Sequence, residues 1–237
     1  MKTLKSFIIT SLGIVLLASC SNNNCTSGSG GYVSKTYNTG TFNAISISGE
    51  ADVYITKDAN LSVRIEAQNN VLNELNVEVQ GQTLTIGEDN CFQNAQRLKV
   101  YISTPTLIGL MSAGSVNVLS ADTFAVNVFT AILSGTGNMD LNINVQEFNT
   151  SISGSGNISA RGIATEQYFT SSGDGHFKCF YLVGEDVDID ISGTANLEVH
   201  ATKTLNIDVS GTAMIYYKGH PSITQKISGS ATIVDAN

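Results

Sequence analysis

The sequence contains no tryptophan, only two prolines and few charged residues, 14% of its 237 positions. Basic side chains are scarcest, with 12 Lys and Arg against 20 Asp and Glu. Nucleic acids and anionic lipid surfaces are held mainly by Lys and Arg, so this deficit argues against both as partners. No GxSxG, HExxH, P-loop or CxxC pattern occurs, and the local signatures of the corresponding enzyme classes are missing with them. Glycine, by contrast, is abundant at 22 residues. The composition is unusual for an α/β enzyme and suits many short strands joined by tight turns.

At the N-terminus, Lys2 and Lys5 precede an apolar run from Phe7 to Ala18 that is too short for a stable transmembrane helix. This pattern reads as a secretory signal covering residues 1–19. It ends in Leu17-Ala18-Ser19-Cys20, an aliphatic residue, two small residues and a thiol, which matches a bacterial lipobox. Cys20 is therefore the expected lipidation site and first mature residue. Several acyl chains at that position give stable membrane anchoring that a single chain cannot. The mature chain would carry ten basic and twenty acidic residues, a formal charge of −10. The expected location is the cell envelope, lipid-anchored at the outer membrane, with the periplasmic and surface faces both open.

Residues 20–31 are polar and glycine-rich and read as a flexible tether. Cys25 lies in it, and Cys91 lies in the polar stretch GEDNCFQNAQ. An oxidising envelope permits a bond between them, but spacing alone does not establish the pair. Cys179 falls on an apolar face and reads as a small buried hydrophobe.

One short phrase, Ser-Gly-small-small-polar-apolar, recurs along the second half. The copies are SGTGNM from Ser134, SGSGNI from Ser153, SGDGHF from Ser172, SGTANL from Ser192, SGTAMI from Ser210 and SGSATI from Ser228, with a looser AGSVNV from Ala113 and a distant SGEADV from Ser48. From Gly49 the repeat glycines step by 65 to Gly114, then by 21, 19, 19, 20, 18 and 18 through Gly135, Gly154, Gly173, Gly193, Gly211 and Gly229. Between phrases the residues alternate with period two, as in Val187-Asp188-Ile189-Asp190-Ile191, which marks strands with one buried face. Four positions after each glycine stands an apolar column: Val118, Met139, Ile158, Phe177, Leu197, Ile215 and Ile233.

A period near 19 residues holds about two strands and two turns. The economical fold is an all-β parallel β-helix, or β-solenoid, with one repeat per rung and rungs about 4.8 Å apart. The glycines of the phrase, Gly114 to Gly229, are expected to form structural turns, where φ is positive or stacked backbones come close. Asn117, Asn138, Asn157 and Asn196 share one column and are placed to form an amide ladder, interrupted by His176, Met214 and Thr232. Residues 32–110 alternate without the 19-residue period and are expected to be an irregular β cap, or first part of the solenoid, with a helical turn near Asn69 to Asn73. Residues 111–237 form the regular repeats.

The opening Phe42-Asn43-Ala44-Ile45 with Gly49, the segment Asn69-Asn70-Val71-Leu72 leading to Gly81-Gln82-Thr83-Leu84-Thr85-Ile86, and the repeated Ser-Gly phrases together resemble the head GIN domain family. That family is a domain of unknown function labelled an auto-transporter adhesin and common in Bacteroidetes lipoproteins. The resemblance spans roughly residues 38–234. It implies a right-handed β-helix and brings no catalytic residues and no cofactor.

Few residues offer chemistry. His176, His200 and His220 fall at different offsets from their repeat glycines, so stacking does not align them. Asp190 and Asp208 share a column in adjacent rungs, with Asp188 and Asn206 beside them, and make a weak candidate cation site, for which a solvated acidic face is the preferred reading. Arg161, Lys178, Lys203, Lys218 and Lys226 are scattered and meet no paired carboxylates of the kind glycan cleavage requires. The expected function is a membrane-anchored, non-enzymatic binding, adhesion or structural module. Glycan stacking on Tyr168, Tyr216 or Tyr217 is one form of it and a protein ligand another. The alternatives are a polysaccharide-processing β-helix enzyme and an envelope scaffold or signalling component.

Overall fold

The computed structural model describes residues 25–88 and 91–237; Cys20 and the signal segment lie outside the described residues. The chain opens with β1 (Thr26–Ser27) and β2 (Tyr32–Tyr37), followed by β3 (Ala44–Lys57), β4 (Ser62–Gln68) and one helical turn, α1 (Asn69–Leu72). Next come β5 (Leu75–Gln80), β6 (Thr83–Glu88), β7 (Phe92–Gln93) and β8 (Leu98–Thr104). The long strands are β9 (Gly109–Leu133), β10 (Thr136–Ile152), β11 (Ser155–Ser171), β12 (Asp174–Ile191) and β13 (Thr194–Val209), and β14 (Thr212–Lys218), β15 (Ser222–Ile227) and β16 (Ser230–Asp235) complete the chain.

Parallel pairing runs from β3 through β9, β10, β11, β12 and β13, after which β14 and β15 pair with the two halves of β13 and β16 pairs with β14. This is a β-solenoid. The column four residues after each glycine is held in strict register, as Val53↔Val118, Val118↔Met139, Met139↔Ile158, Ile158↔Phe177, Phe177↔Leu197, Leu197↔Ile215 and Ile215↔Ile233. All of its members except the last are buried. Phe129, Phe148, Phe169 and Phe177 form a chain of tilted and edge-to-face rings with centroids 5.3–6.4 Å apart. Each such buried ring stabilises the fold by about 2–3 kcal/mol.

Rungs differ in length, and the differences are absorbed at one place. Where a 21-residue spacing meets a 19-residue one, the register slips between Asp140 and Asn142, and where 19 meets 20 it slips between Ser159 and Arg161. The next slips lie between Lys178 and Val183 and between Gly184 and Asp186. All occur on the far side of the rung from the repeated Ser-Gly corner, which stays in exact register.

The 65-residue gap between Gly49 and Gly114 is an excursion. In space Gly49 faces Gly114 directly, so the distant phrase SGEADV belongs to a full rung, β3. The intervening chain returns to cover the other edge of that rung: β6 pairs with its first half and β8 with its second. Both pairings are still parallel. Beyond them the direction reverses, with β5 antiparallel to β6, β4 to β8 and β2 to β4. The reversal ends the parallel stack, and α1 forms at the expected helical turn.

The segment expected to be a free tether is fastened from Cys25 onward. Cys25 is disulfide-bonded to Cys91, and β1 pairs with β7. Ser29 N–H donates to Asn70 Oδ1 at 3.0 Å, and Asn70 Nδ2 donates to the Ser27 carbonyl at 2.8 Å. The Asn70 side chain of the cap thus satisfies backbone groups of this segment in place of water, which composition cannot reveal.

Candidate functional site

The Ser-Gly corner is structural in its geometry. A Cβ on Gly135 would overlap the Gly114 carbonyl oxygen, one on Gly154 the Gly135 carbonyl, and so on through Gly173, Gly193, Gly211 and Gly229. Gly49 and Gly114 have positive φ, 93° and 91°, whereas the later corner glycines do not. Close approach of stacked backbones, with conformation secondary, therefore demands glycine along this column. The ladder continues across it, with Ser155 N–H donating to the Gly135 carbonyl at 3.0 Å and Asp174 N–H to the Gly154 carbonyl at 2.9 Å.

Just past the corner one outward face carries an amide chain. Asn157 Nδ2 donates to Asn138 Oδ1 at 2.6 Å, Asn138 to Asn117 at 2.9 Å, and Asn117 to Asp52 Oδ1 at 2.9 Å. Asp52 also receives Arg97 Nε at 3.1 Å, and the Arg97 guanidinium is held by the Ala51 and Ser115 carbonyls at 2.9 and 2.8 Å. Every amide thus points the same way toward an anchored carboxylate, and such chains strengthen cooperatively. Further along, Asn196 Nδ2 lies 3.2 Å from His176 Nδ1, a separate pair in the same column, so the amide chain runs from Asn157 to Asp52 and His176 stands just beyond it.

Two residues further out on the same face, Tyr54 stacks on Tyr101 with centroids 5.2 Å apart and planes 18° from parallel. Arg64 lies 4.0 Å from the Tyr101 ring centre on the cap strand β4. On its other side Tyr54 borders a groove of about 350 Å³, lined also by Asn117, Leu119, Asn138 and Asp140. Tyr54 is 38% exposed and Leu119 45%. Asp140 is paired with Arg161 Nη2 at 2.8 and 3.1 Å.

A second outward face is acidic. Glu147, Glu166 and Asp186 are stacked in register, and Asp190 is stacked on Asp208. Two of the three aspartates of the candidate cation site have partners of their own: Asp188 accepts Asn206 Nδ2 at 2.7 Å and Asp208 accepts Lys226 Nζ at 2.8 Å. That hydrogen bond, then the Asp208 charge, raises the pKa of the Lys226 ammonium. Among the described residues no group of three His, Cys, Asp or Glu side chains is arranged to hold a metal ion. An open groove of about 470 Å³ runs over this face between Tyr168 and Lys226. Burial, then a hydrogen bond to Glu166 at 3.0 Å and the charges of Glu166, Asp188 and Glu147, push the Tyr168 phenol up to about 12.

The other expected residues are dispersed. Tyr216 and Tyr217 lie half-buried on β14, away from Tyr168, with the Tyr216 hydroxyl donating to Met214 sulfur at 3.0 Å. His200 is in register with Val183 and Lys218, not with another histidine. Cys179 is fully buried, and that burial pushes its thiol up to about 12. The Tyr54–Tyr101 pair escapes sequence reading because 47 residues separate its members and only the β3–β8 register joins them.

The rung, the corner column and the stretch 42–49 occur together in one known family. The chain belongs to the family "Putative auto-transporter adhesin, head GIN domain", matched over residues 41–221. Among solved structures, a "putative adhesin" from Bacteroides fragilis NCTC 9343 superposes with a TM-score of 0.79 at 23% identity, covering 88% of this chain and 99% of that one. A "putative lipid binding protein" from Parabacteroides distasonis ATCC 8503 gives 0.76 at 22% identity over 90% and 100%. A "putative adhesin" from Parabacteroides merdae ATCC 43184 gives 0.67 at 23% identity over 90% and 99%. Similarity at this level establishes the head GIN solenoid as a shared fold. No curated protein matches the sequence.

Proposed function

We propose that this head GIN protein is a lipid-anchored, non-enzymatic binding module of the cell envelope, attached through Cys20 and offering the outward faces of its solenoid to a ligand. The observation that carries the reading is the Cys25–Cys91 disulfide. Structural disulfides persist in oxidising compartments, which agrees with export under a signal ending at Cys20. The bond also sets the geometry of the anchor. Five residues separate Cys25 from Cys20, a span of at most about 18 Å, so the capped end is held close to the membrane and the repeats extend from it. The family's adhesin label supports binding as the role.

Growth with radiolabelled palmitate tests the anchor. The parent protein is expected to take up label and to sediment with the outer membrane, whereas Cys20→Ala is expected to stay unlabelled and soluble. An unlabelled parent protein, or membrane retention of Cys20→Ala, overturns the reading.

A further inference from the structure

We infer that the groove between Tyr54 and Asp140 is a saccharide site that takes a pyranose unit of a neutral polysaccharide, with the asparagine ladder as the track for the units that follow. The inference rests on the binding-module reading and names its ligand class. Tyr54 is held upright by Tyr101 on one side, and Arg64 backs Tyr101 in turn, so the ring is braced from the cap outward. On its other side stands Leu119, its in-register neighbour one rung on, with Asp140 on the rung after that, and all three border the groove. A braced aromatic beside an exposed aliphatic side chain offers an apolar surface that suits the C–H face of a sugar ring and costs little ordering entropy on binding.

The groove's polar groups suit hydroxyls. Asp140 offers carboxylate oxygens, oriented by Arg161, and Asn138 and Asn117 are fixed by their hydrogen bonds to one another and to Asp52. Asn117 and Asn138 each spend one N–H and one lone pair within the ladder. A second N–H and a second lone pair remain, a donor and an acceptor together, as a hydroxyl requires. The pattern repeats at the rung spacing of about 4.8 Å, close to the length of one sugar unit in an extended chain. Asn157, His176 and Asn196 occupy the same column on the following rungs. A protein ligand would call for a contiguous apolar centre, and here Leu119 and Tyr54 stand among amides and carboxylates. The excess of acidic residues disfavours polyanionic glycans, which leaves neutral ones.

Titration of the full lipoprotein, held in a detergent without sugar headgroups, with cellohexaose, chitohexaose and mannohexaose tests this. Calorimetry and tyrosine fluorescence provide the readouts, the latter unobscured because the chain has no tryptophan. At least one of the three is expected to bind, and heparin is not. Tyr54→Ala is expected to weaken binding at least about tenfold, the loss typical of a central aromatic contact. Leu119→Glu, a change at the exposed position beside Tyr54, is expected to do the same with the fold unchanged by circular dichroism. Tyr181→Ala, which removes an exposed ring elsewhere, should leave binding intact. Failure of all three sugars to bind, binding indifferent to both groove variants, preference for heparin, or capture of a protein by this face in place of sugar overturns the inference. None of these outcomes bears on palmitate labelling at Cys20, so the two readings fail separately.

Discussion

At its N-terminal end the solenoid closes over its first rung. Strands β6 and β8 cover β3, antiparallel β4 and β2 lie outside them, and the Cys25–Cys91 bond fastens the cover. At the C-terminal end β15 and β16 pair on one side only among the described residues, and Ile223 and Ile227, which occupy core columns, are 41% and 40% exposed. The same repeat thus serves as buried interior in one place and as a solvent-facing lid in another. The last rung manages exposure through composition: Gln225 stands in the column where Ile189 and Ile207 are buried, and Lys226 ends the column of Asp190 and Asp208. A capped end can keep every core position apolar, whereas an open end must dilute them with polar and charged groups to discourage edge pairing.

Removing the cap's fastening should have the largest effect. Cys25→Ser with Cys91→Ser opens a loop of 66 residues and is expected to cost about 4 kcal/mol, read as a lowered urea midpoint and as early hydrogen exchange confined to β1, β2 and β4. Uniform exchange along the rod would show that the cap and repeats unfold as one unit. The corner column comes next. Gly173→Ala forces a Cβ into the Ser153 and Gly154 backbone between two fixed rungs and is expected to cost about 3 kcal/mol. Gly229→Ala makes the same overlap with Gly211 on a last rung free to tilt, and about 1 kcal/mol is expected. Equal costs would mean that the open rung is as rigid as the interior.

Alkaline pH probes two groups of the interior rungs. Cys179 and Tyr168 are both favoured in their neutral forms by folding, with values near 12 against ordinary values of 9.0 and 10.0. The unfolded chain therefore ionises first. Their contribution to stability is complete below pH 9.0 and is lost as the pH rises toward about 12. Urea midpoints measured across that range should fall, less steeply in Tyr168→Phe, and iodoacetamide should leave Cys179 unmodified in the folded protein. The smallest effect belongs to the open end: Ile223→Ser, at a position already two-fifths exposed, is expected to cost less than about 1 kcal/mol by the same measurement.

Much of this was legible in the residues because a solenoid is built from local repetition. The Ser-Gly spacing gave the rung, the apolar column its interior, and the asparagines a ladder that the structure contains. The acidic column was legible as a column, with a solvated face preferred over a cation, but only the structure shows that Lys226 and Asn206 are what its charges face. The fastening from Cys25 onward was not legible because the backbone N–H of Ser29 and C=O of Ser27 can bond to water or to Asn70 whatever side chains they carry.

The period-two alternation and a repeat of 18–21 residues were enough to determine a stack of parallel rungs, since each strand finds its partner one repeat away and glycine alone fits where backbones stack. The pairings across residues 25–108 were decided only by the tertiary structure. Gly49 meets Gly114, Cys25 meets Cys91 and Tyr54 meets Tyr101 through an excursion with no period, so no local pattern encodes these contacts. They follow from the need to cover the first rung's open edge, which is a property of the assembled sheet.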